Sequence, residues 1–366
     1  MSSPIGSFLA ALHEIIPAHR TADWDVSGLQ LGDPSGAART VAVAHEVTEA
    51  VVASVQAQQV DLLITYHPLL FRPTNRLIDG PTAPGRALRL IRTGTAVAVA
   101  HTSFDAAEGG TADALAEALG CTNITGFGPV APAGAVKVVT FVPESAADGL
   151  ANAMAAAGAG AIGNYSGCSF RTPGLGVFQA GPGAAPAAGE PGGSNREPEI
   201  RLEMLCPSSR LDGVVAALVA DHPYEEPAFD VIDTRSNMGL TGRVGNLPAP
   251  VTVDEFAEAV RVRLGSSGLR VSVAGSLVER VAVVAGSGSS FLGAARATGA
   301  DVFVTGDVGH HAVREVVDGG LAVIDPGHAG TERPGMSRLA AVVAGVCARF
   351  GSEMVDLTAF DPTPWR

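Results

Sequence analysis

Asp61-Leu62-Leu63-Ile64-Thr65-Tyr66-His67-Pro68 opens on an apolar run and closes on ring-bearing polar residues. A short continuous apolar run of this kind reads as a buried strand, with Tyr66 and His67 at its end. The arrangement recurs at residues 96–100, which lead into His101-Thr102-Ser103-Phe104-Asp105. It recurs again at residues 321–324, shortly before Gly327-His328-Ala329-Gly330-Thr331-Glu332-Arg333. Loops at strand ends are where α/β proteins gather site residues from distant parts of the chain. If these three clusters converge, they make a carboxylate-and-imidazole pocket suited to one or two transition metals.

Outward from that run, strands and helices alternate. Residues 40–44 read as a strand, 48–58 as a helix and 86–92 as a helix. Residues 111–119 read as a helix after Gly109-Gly110. This alternation predicts α/β layers. The pattern changes from residue 135. There, 136–142 reads as a strand, 145–157 as a helix and 169–179 as a strand broken by Pro and Gly. Residues 181–197 are dense in Gly, Pro and Ala, as in a long loop or hairpin tip. A strand at 199–206, a helix at 208–221 and a strand at 227–233 follow. The order β-α-β-β-α-β is that of a ferredoxin-like module. The α/β pattern then returns, with strands at 281–285, 301–305 and 321–324 and helices up to 298, at 310–318 and at 338–350. The expected architecture is an interrupted two-lobed α/β domain with an inserted ferredoxin-like α+β module. Its boundaries are 1–128, 129–235 for the insert, and 236–366. Packing of the two outer halves would bring the front and back clusters into one site.

Composition narrows the possible functions. The 366 residues are enough for two or three domains, and 46% are hydrophobic, as in an ordinary soluble protein. No segment approaches the ~20 apolar residues of a membrane span, and the N-terminus carries no secretion pattern. The net charge of −13 argues against nonspecific binding to nucleic acid or to anionic membranes. Cys121, Cys168, Cys206 and Cys347 are widely spaced and form no Cys-x-x-Cys pair, which fits buried, reduced thiols in a cytoplasmic protein.

Each candidate residue has a plainer reading. A lone His67 before Pro68 is more often structural, and Asp105 at a junction into a helix is a natural N-cap. His328 and Glu332, four apart, share a face if the segment is helical; the plainer alternative is a loop His and a Glu serving the helix dipole. His310 and His311 open a predicted helix and are candidate acid/base groups. Gly286-Ser287-Gly288-Ser289-Ser290 could present N–H groups to a phosphate, but it lacks P-loop spacing and Lys, so a tight turn suits it better. His13, His19 and His222 read as surface or structural residues.

Several longer motifs resemble the Nif-three-like dinuclear-metal family, many of whose members carry the name GTP cyclohydrolase 1 type 2 homologue. The matching stretches are Asp23-Trp24-Asp25-Val26-Ser27-Gly28-Leu29, Ile64-Thr65-Tyr66-His67-Pro68-Leu69-Leu70-Phe71 and residues 101–110. Thr305-Gly306-Asp307 and residues 327–334 complete the set, in the family's order. The middle segment is similar to the PII/CutA-like domain of longer members, through residues 164–170 and His222-Pro223-Tyr224-Glu225-Glu226-Pro227. By this resemblance His67 and His328 would bind one metal, Asp105 the other, and Glu332 would bridge them.

Tyr66 stands where the family's His-His-Pro motif has its first His, which by this resemblance would also bind the Asp105-side metal. A phenol titrates near about 10 and binds metal only after losing its proton. Three outcomes stay open, in order: a weakened or absent Asp105-side ion, ligation by a Tyr66 phenolate favouring a harder ion such as ferric iron, or substitution by His45. The resemblance implies a metal-dependent hydrolase with one or two divalent transition ions (Zn, Mn, Fe or Co) acting on a small-molecule or nucleotide substrate. Metal-activated water would attack that substrate. It also implies a homohexamer. The alternative is a non-catalytic oligomeric metal-binding scaffold or regulator.

Overall fold

Every residue of the strand Leu62–Thr65 is buried, as a strand covered on both faces requires. Thr40–Ala44 and Ala96–Val99 flank it in parallel. Glu353–Asp356 adds a fourth parallel strand, and Gly28–Leu31 closes the other edge antiparallel, making five strands. Parallel neighbours need crossovers, and the helices Glu49–Ala57 and Ala83–Thr93 supply two of them. Thr48 and Thr82 cap these helices by accepting from Val51 and Gly85 N–H groups, and Gly94, left-handed at φ 76°, ends the second. Side chains alternate across the sheet. Leu62 and Ile64 pack with Phe8, Leu339 and Val343 on one face, and Leu63 packs with Val55, Leu90 and Val97 on the other.

The computed structural model describes the chain except residues 1–2, 23, 130–134, 163–164, 182, 185, 188, 191, 235–238 and 361–366. Asp23, Asn164 and the expected boundary at 235/236 therefore lie outside the described residues. The chain divides into two units, one made of residues 1–130 and 238–366, the other of residues 131–237. The fold is mixed α/β with several sheets.

A second sheet of the first unit has six strands in the order Arg270–Ser272, Ala322–Asp325, Val302–Gly306, Leu277–Ser287, Leu240–Thr252, Thr122–Pro129. Ala322–Asp325, Val302–Gly306 and Leu277–Ser287 run parallel. Thr122–Pro129, Leu240–Thr252 and the helix Val253–Leu264 fall where the sequence pattern gave no expectation. Gly and Pro interrupt both strands, which hides the alternation. The last helix starts at His328 and not at 338. Pro334 lies inside it, where it removes the hydrogen bond to the carbonyl four residues earlier and crowds that carbonyl. Just beyond, Gly335 admits a close neighbour: a Cβ there would lie 2.7 Å from Thr111 Cγ2.

The 131–237 unit runs β-α-β-β-α-β, with its sheet in the order Phe170–Gln179, Ser194–Pro207, Ala135–Val142, Phe229–Asp233, all antiparallel. Helices Glu144–Ala156 and Leu211–Asp221 cover one face, burying Val138, Leu150, Leu202 and Leu218. Phe170–Gln179 is continuous through Pro173, which an edge strand tolerates. Among the described residues no helix is long and apolar enough to cross a membrane.

Candidate metal centre

The ends of several strands converge. His45 follows Thr40–Ala44, Tyr66 and His67 follow Leu62–Thr65, and His101 lies just past Ala96–Val99. The Tyr66 N–H donates to the Ala44 carbonyl at 3.1 Å and the His67 N–H to the His45 carbonyl at 2.9 Å, which holds two of these ends side by side. From the second sheet, Asp307 follows Val302–Gly306, and His328 and Glu332 lie in the helix that follows Ala322–Asp325.

Glu332 is the hub, at 1% exposure. Its Oε2 lies 2.8 Å from His45 Nε2, and its Oε1 lies 3.2 Å from His67 Nε2 and 3.0 Å from His328 Nε2. Burial alone would raise this carboxyl, but its bonds to the three imidazoles outweigh burial and hold it well below the usual carboxylate range. His328 is pushed up to about 9 by Glu332, against its own partial burial, with Asp307 adding through a 2.7 Å contact to Nδ1. Gly286, left-handed at φ 67°, makes room for this approach, because a Cβ there would lie 2.7 Å from Glu332 Oε1. Its N–H donates to Thr331 Oγ1 at 2.8 Å, so it is not offered to a phosphate. The ligand atoms of His45, His67 and Glu332 all lie within 4.8 Å of one another, a group that could hold a metal ion.

Asp105 is satisfied differently. Tyr66, 1% exposed, donates its hydroxyl to Asp105 Oδ1 at 2.6 Å. Burial pushes the phenol well above its ordinary value, and the Asp105 and Glu332 charges push it further. Burial also lifts the Asp105 carboxyl to about 6, with Glu332 adding and His101 and Tyr66 opposing. Asp105 ends the short helix Thr102–Asp105, and the next helix is capped by Gly110, so the N-cap reading of Asp105 does not hold.

His101 and Asp25 were quoted within motifs but given no role from sequence. His101 Nδ1 lies 2.9 Å from Asp25 Oδ1. Asp25 Oδ2 accepts from the Thr102 N–H at 3.1 Å, the Thr102 hydroxyl at 2.6 Å and the Ser27 hydroxyl at 2.8 Å. Burial works against the Asp25 anion, but His101, Thr102 and Ser27 overcome it and lower the carboxyl strongly. His101 is raised despite its burial, chiefly by Asp25. Its ring lies 5.2 Å from that of Tyr66 and 5.5 Å from that of His67. The available signal was position, since His101 ends a buried strand as His67 does.

His310 and His311 stand elsewhere. Their rings pack 5.3 Å apart on the exposed start of the helix His310–Asp318, and His310 lines a pocket with Arg270, Arg314 and Asp325. Among the described residues, neither is bonded to or ring-packed against the imidazole cluster.

The sequence model of Duf34/NIF3 (NGG1p interacting factor 3) matches residues 4–362. The chain is 36% identical over 326 residues to a Listeria innocua protein named GTP cyclohydrolase 1 type 2 homolog, covering 88% of this chain and 87% of that one. It is also 36% identical over 374 positions to a protein of the same name from Mycobacterium tuberculosis, covering 100% and 97%. A solved Bacillus cereus structure, described as a protein related to NIF3, superposes with a TM-score of 0.66 at 32% identity and full coverage of both chains. On this evidence the chain belongs to the Duf34/NIF3 family.

Proposed function

We propose that this protein is a metal-dependent hydrolase whose principal ion is held by His45, His67 and Glu332, with His328 beside them. The observation that carries this reading is one buried carboxylate bonded to three imidazoles, two at strand ends of one sheet and one on its own helix. The donor set fits, because imidazole nitrogen with carboxylate oxygen suits Zn, Mn, Fe or Co. Asp307 on His328 Nδ1 is the carboxylate–histidine pairing that orients metal-binding imidazoles. A divalent ion bound there supplies Lewis acidity and a more acidic water. Asp25 fixes His101 as a proton-holding group next to Tyr66 and His67. This is a better-placed acid/base group than His310 or His311.

In this reading the Asp105-side ion of a dinuclear centre is weak or absent, because Tyr66 keeps its proton and donates it in a hydrogen bond to Asp105. The shared name of the relatives supports a nucleotide-like substrate, and a different biosynthetic intermediate fits the altered ligand set. The 131–237 unit is a ferredoxin-like, PII/CutA-like module, a reading supported by its element order and by a sheet in which the first strand lies between the third and fourth. The proposal includes a cytoplasmic homohexamer, tested by light scattering for a mass six times that of the 36.9 kDa chain.

The deciding experiment loads purified protein separately with Mn, Fe, Co and Zn and assays a nucleotide panel. Turnover that is lost in Glu332→Gln and kept in the exposed control Glu144→Gln is the expected result. Metal bound but no turnover with any ion would favour the non-catalytic scaffold or regulator.

A further inference from the structure

The 131–237 unit contains a cavity of about 750 Å³ that the metal-centre reading does not use. That volume lies within the range of small-molecule sites. Its floor is the sheet face opposite the two helices. There Gly174 of the strand Phe170–Gln179 pairs with Glu199 of Ser194–Pro207, and Gly176 lies two residues further along the same face. Ala180, Gly181, Ala184, Pro186, Tyr224 and Ala228 contribute to its walls.

Glycine weakens a strand, so two on one face mark a place kept clear for something else. At Gly176 the occupant is the Glu199 carboxylate, whose Oε2 would lie 2.2 Å from a Cβ. At Gly174 the nearest atom to such a Cβ is the Glu199 backbone oxygen at 3.9 Å, so the glycine leaves open space. Glu199 is the polar centre of the cavity. Its Oε1 accepts from the Tyr224 hydroxyl at 2.8 Å. Its other oxygen has no hydrogen-bond partner among the described residues.

The charges around Glu199 choose the ligand. Arg201 is already engaged: its Nε donates to Glu203 at 2.7 Å, and its guanidinium lies 5.6 Å from the Phe141 ring centre. Glu226 also lines the cavity, so a phosphate or carboxylate ligand would meet the carboxylates of Glu199 and Glu226 beside one guanidinium already paired with Glu203. Much of the remaining lining is apolar, including Phe141, Phe178 and Ala180. We propose that this cavity binds a small organic molecule that joins an apolar body to one ammonium or amidinium group, with the cation meeting Glu199. A charge-assisted hydrogen bond to the carboxylate then gives orientation, and the apolar wall gives affinity.

Isothermal titration of the full-length protein in chelator, with 2-phenylethylamine, 2-phenylethanol and 3-phenylpropanoate, tests this. Chelation keeps the metal centre from recruiting any of the three. The amine should bind saturably, the alcohol at least about tenfold more weakly, and the carboxylate not at all. Glu199→Gln should cost the amine about tenfold or more while keeping an acceptor for Tyr224. Gly174→Val should block binding by filling the open floor. Equal binding of the three probes, preference for the carboxylate, no saturable binding of the amine, or unchanged amine affinity in Glu199→Gln would each overturn the proposal. The ranking of probes on the unaltered protein decides the matter even if a variant fails to fold.

Discussion

Two buried carboxylates, Glu332 and Asp105, find their partners in opposite ways. Glu332 is bonded to imidazoles, and Asp105 accepts a hydrogen bond from a phenol. A neutral imidazole can turn its lone pair to a cation, whereas a phenol must first lose its proton. Burial is nearly the same for both, at 1% and 7% exposure. What separates the two carboxylates is therefore the partner and not the depth. The shift directions agree: the imidazoles hold Glu332 low, and Asp105 is lifted to about 6.

The strongest way to break this contrast is Glu332→Gln. Metal affinity should fall at least about 100-fold, since changes outside the ligand set alone cost 10–100-fold. Elemental analysis after gel filtration measures it, and retained metal would remove Glu332 as the hub. Next, Tyr66→His replaces the phenol with a second imidazole beside Asp105. Bound metal should rise from about one ion per chain towards about two; unchanged stoichiometry would place Asp105 outside any donor set. A smaller effect is expected from Tyr66→Phe, which removes the O–H that satisfies Asp105. Urea denaturation of metal-free protein at neutral pH should show a loss of about 1–3 kcal/mol, and no loss would mean that Asp105 has another partner.

The smallest effect is a slope with pH. Asp105 titrates at about 6 when folded, against an ordinary value of 3.8, so the folded chain holds this proton more tightly. Its contribution to stability is complete below the ordinary value and is lost as pH rises through about 6. Relative to Asp105→Asn, the unaltered metal-free protein should lose stability across that window. A flat difference between the two urea series would make Asp105 an ordinary carboxylate and would erase the contrast.

Much of the scaffold was legible because the buried strands are short apolar runs with polar ends. Leu62–Thr65 and Ala96–Val99 are of this kind, and the imidazoles that follow them were visible as strand-end residues. Leu240–Thr252 was not legible, since Gly242, Gly245, Pro248 and Pro250 interrupt any alternation. The start of the last helix was obscured by Pro334, whose cost is small beside the burial of Leu339, Val343 and Val346 further along. The role of His101 was not legible, because its partner Asp25 lies 76 residues away in a stretch without periodic pattern.

Residue order was enough to specify the strand-end positions of Tyr66 and His67, because strand length and polarity are encoded by near neighbours. It was also enough to show that position 66 offers a phenol. Packing settled which groups meet: His45 and Glu332 are 287 residues apart and touch at 2.8 Å. That contact requires the last helix to be laid against the strand ends of the first sheet, and no local pattern carries such information. The same packing gave Tyr66 its role, because a phenol's proton is held or released according to the charges folded around it.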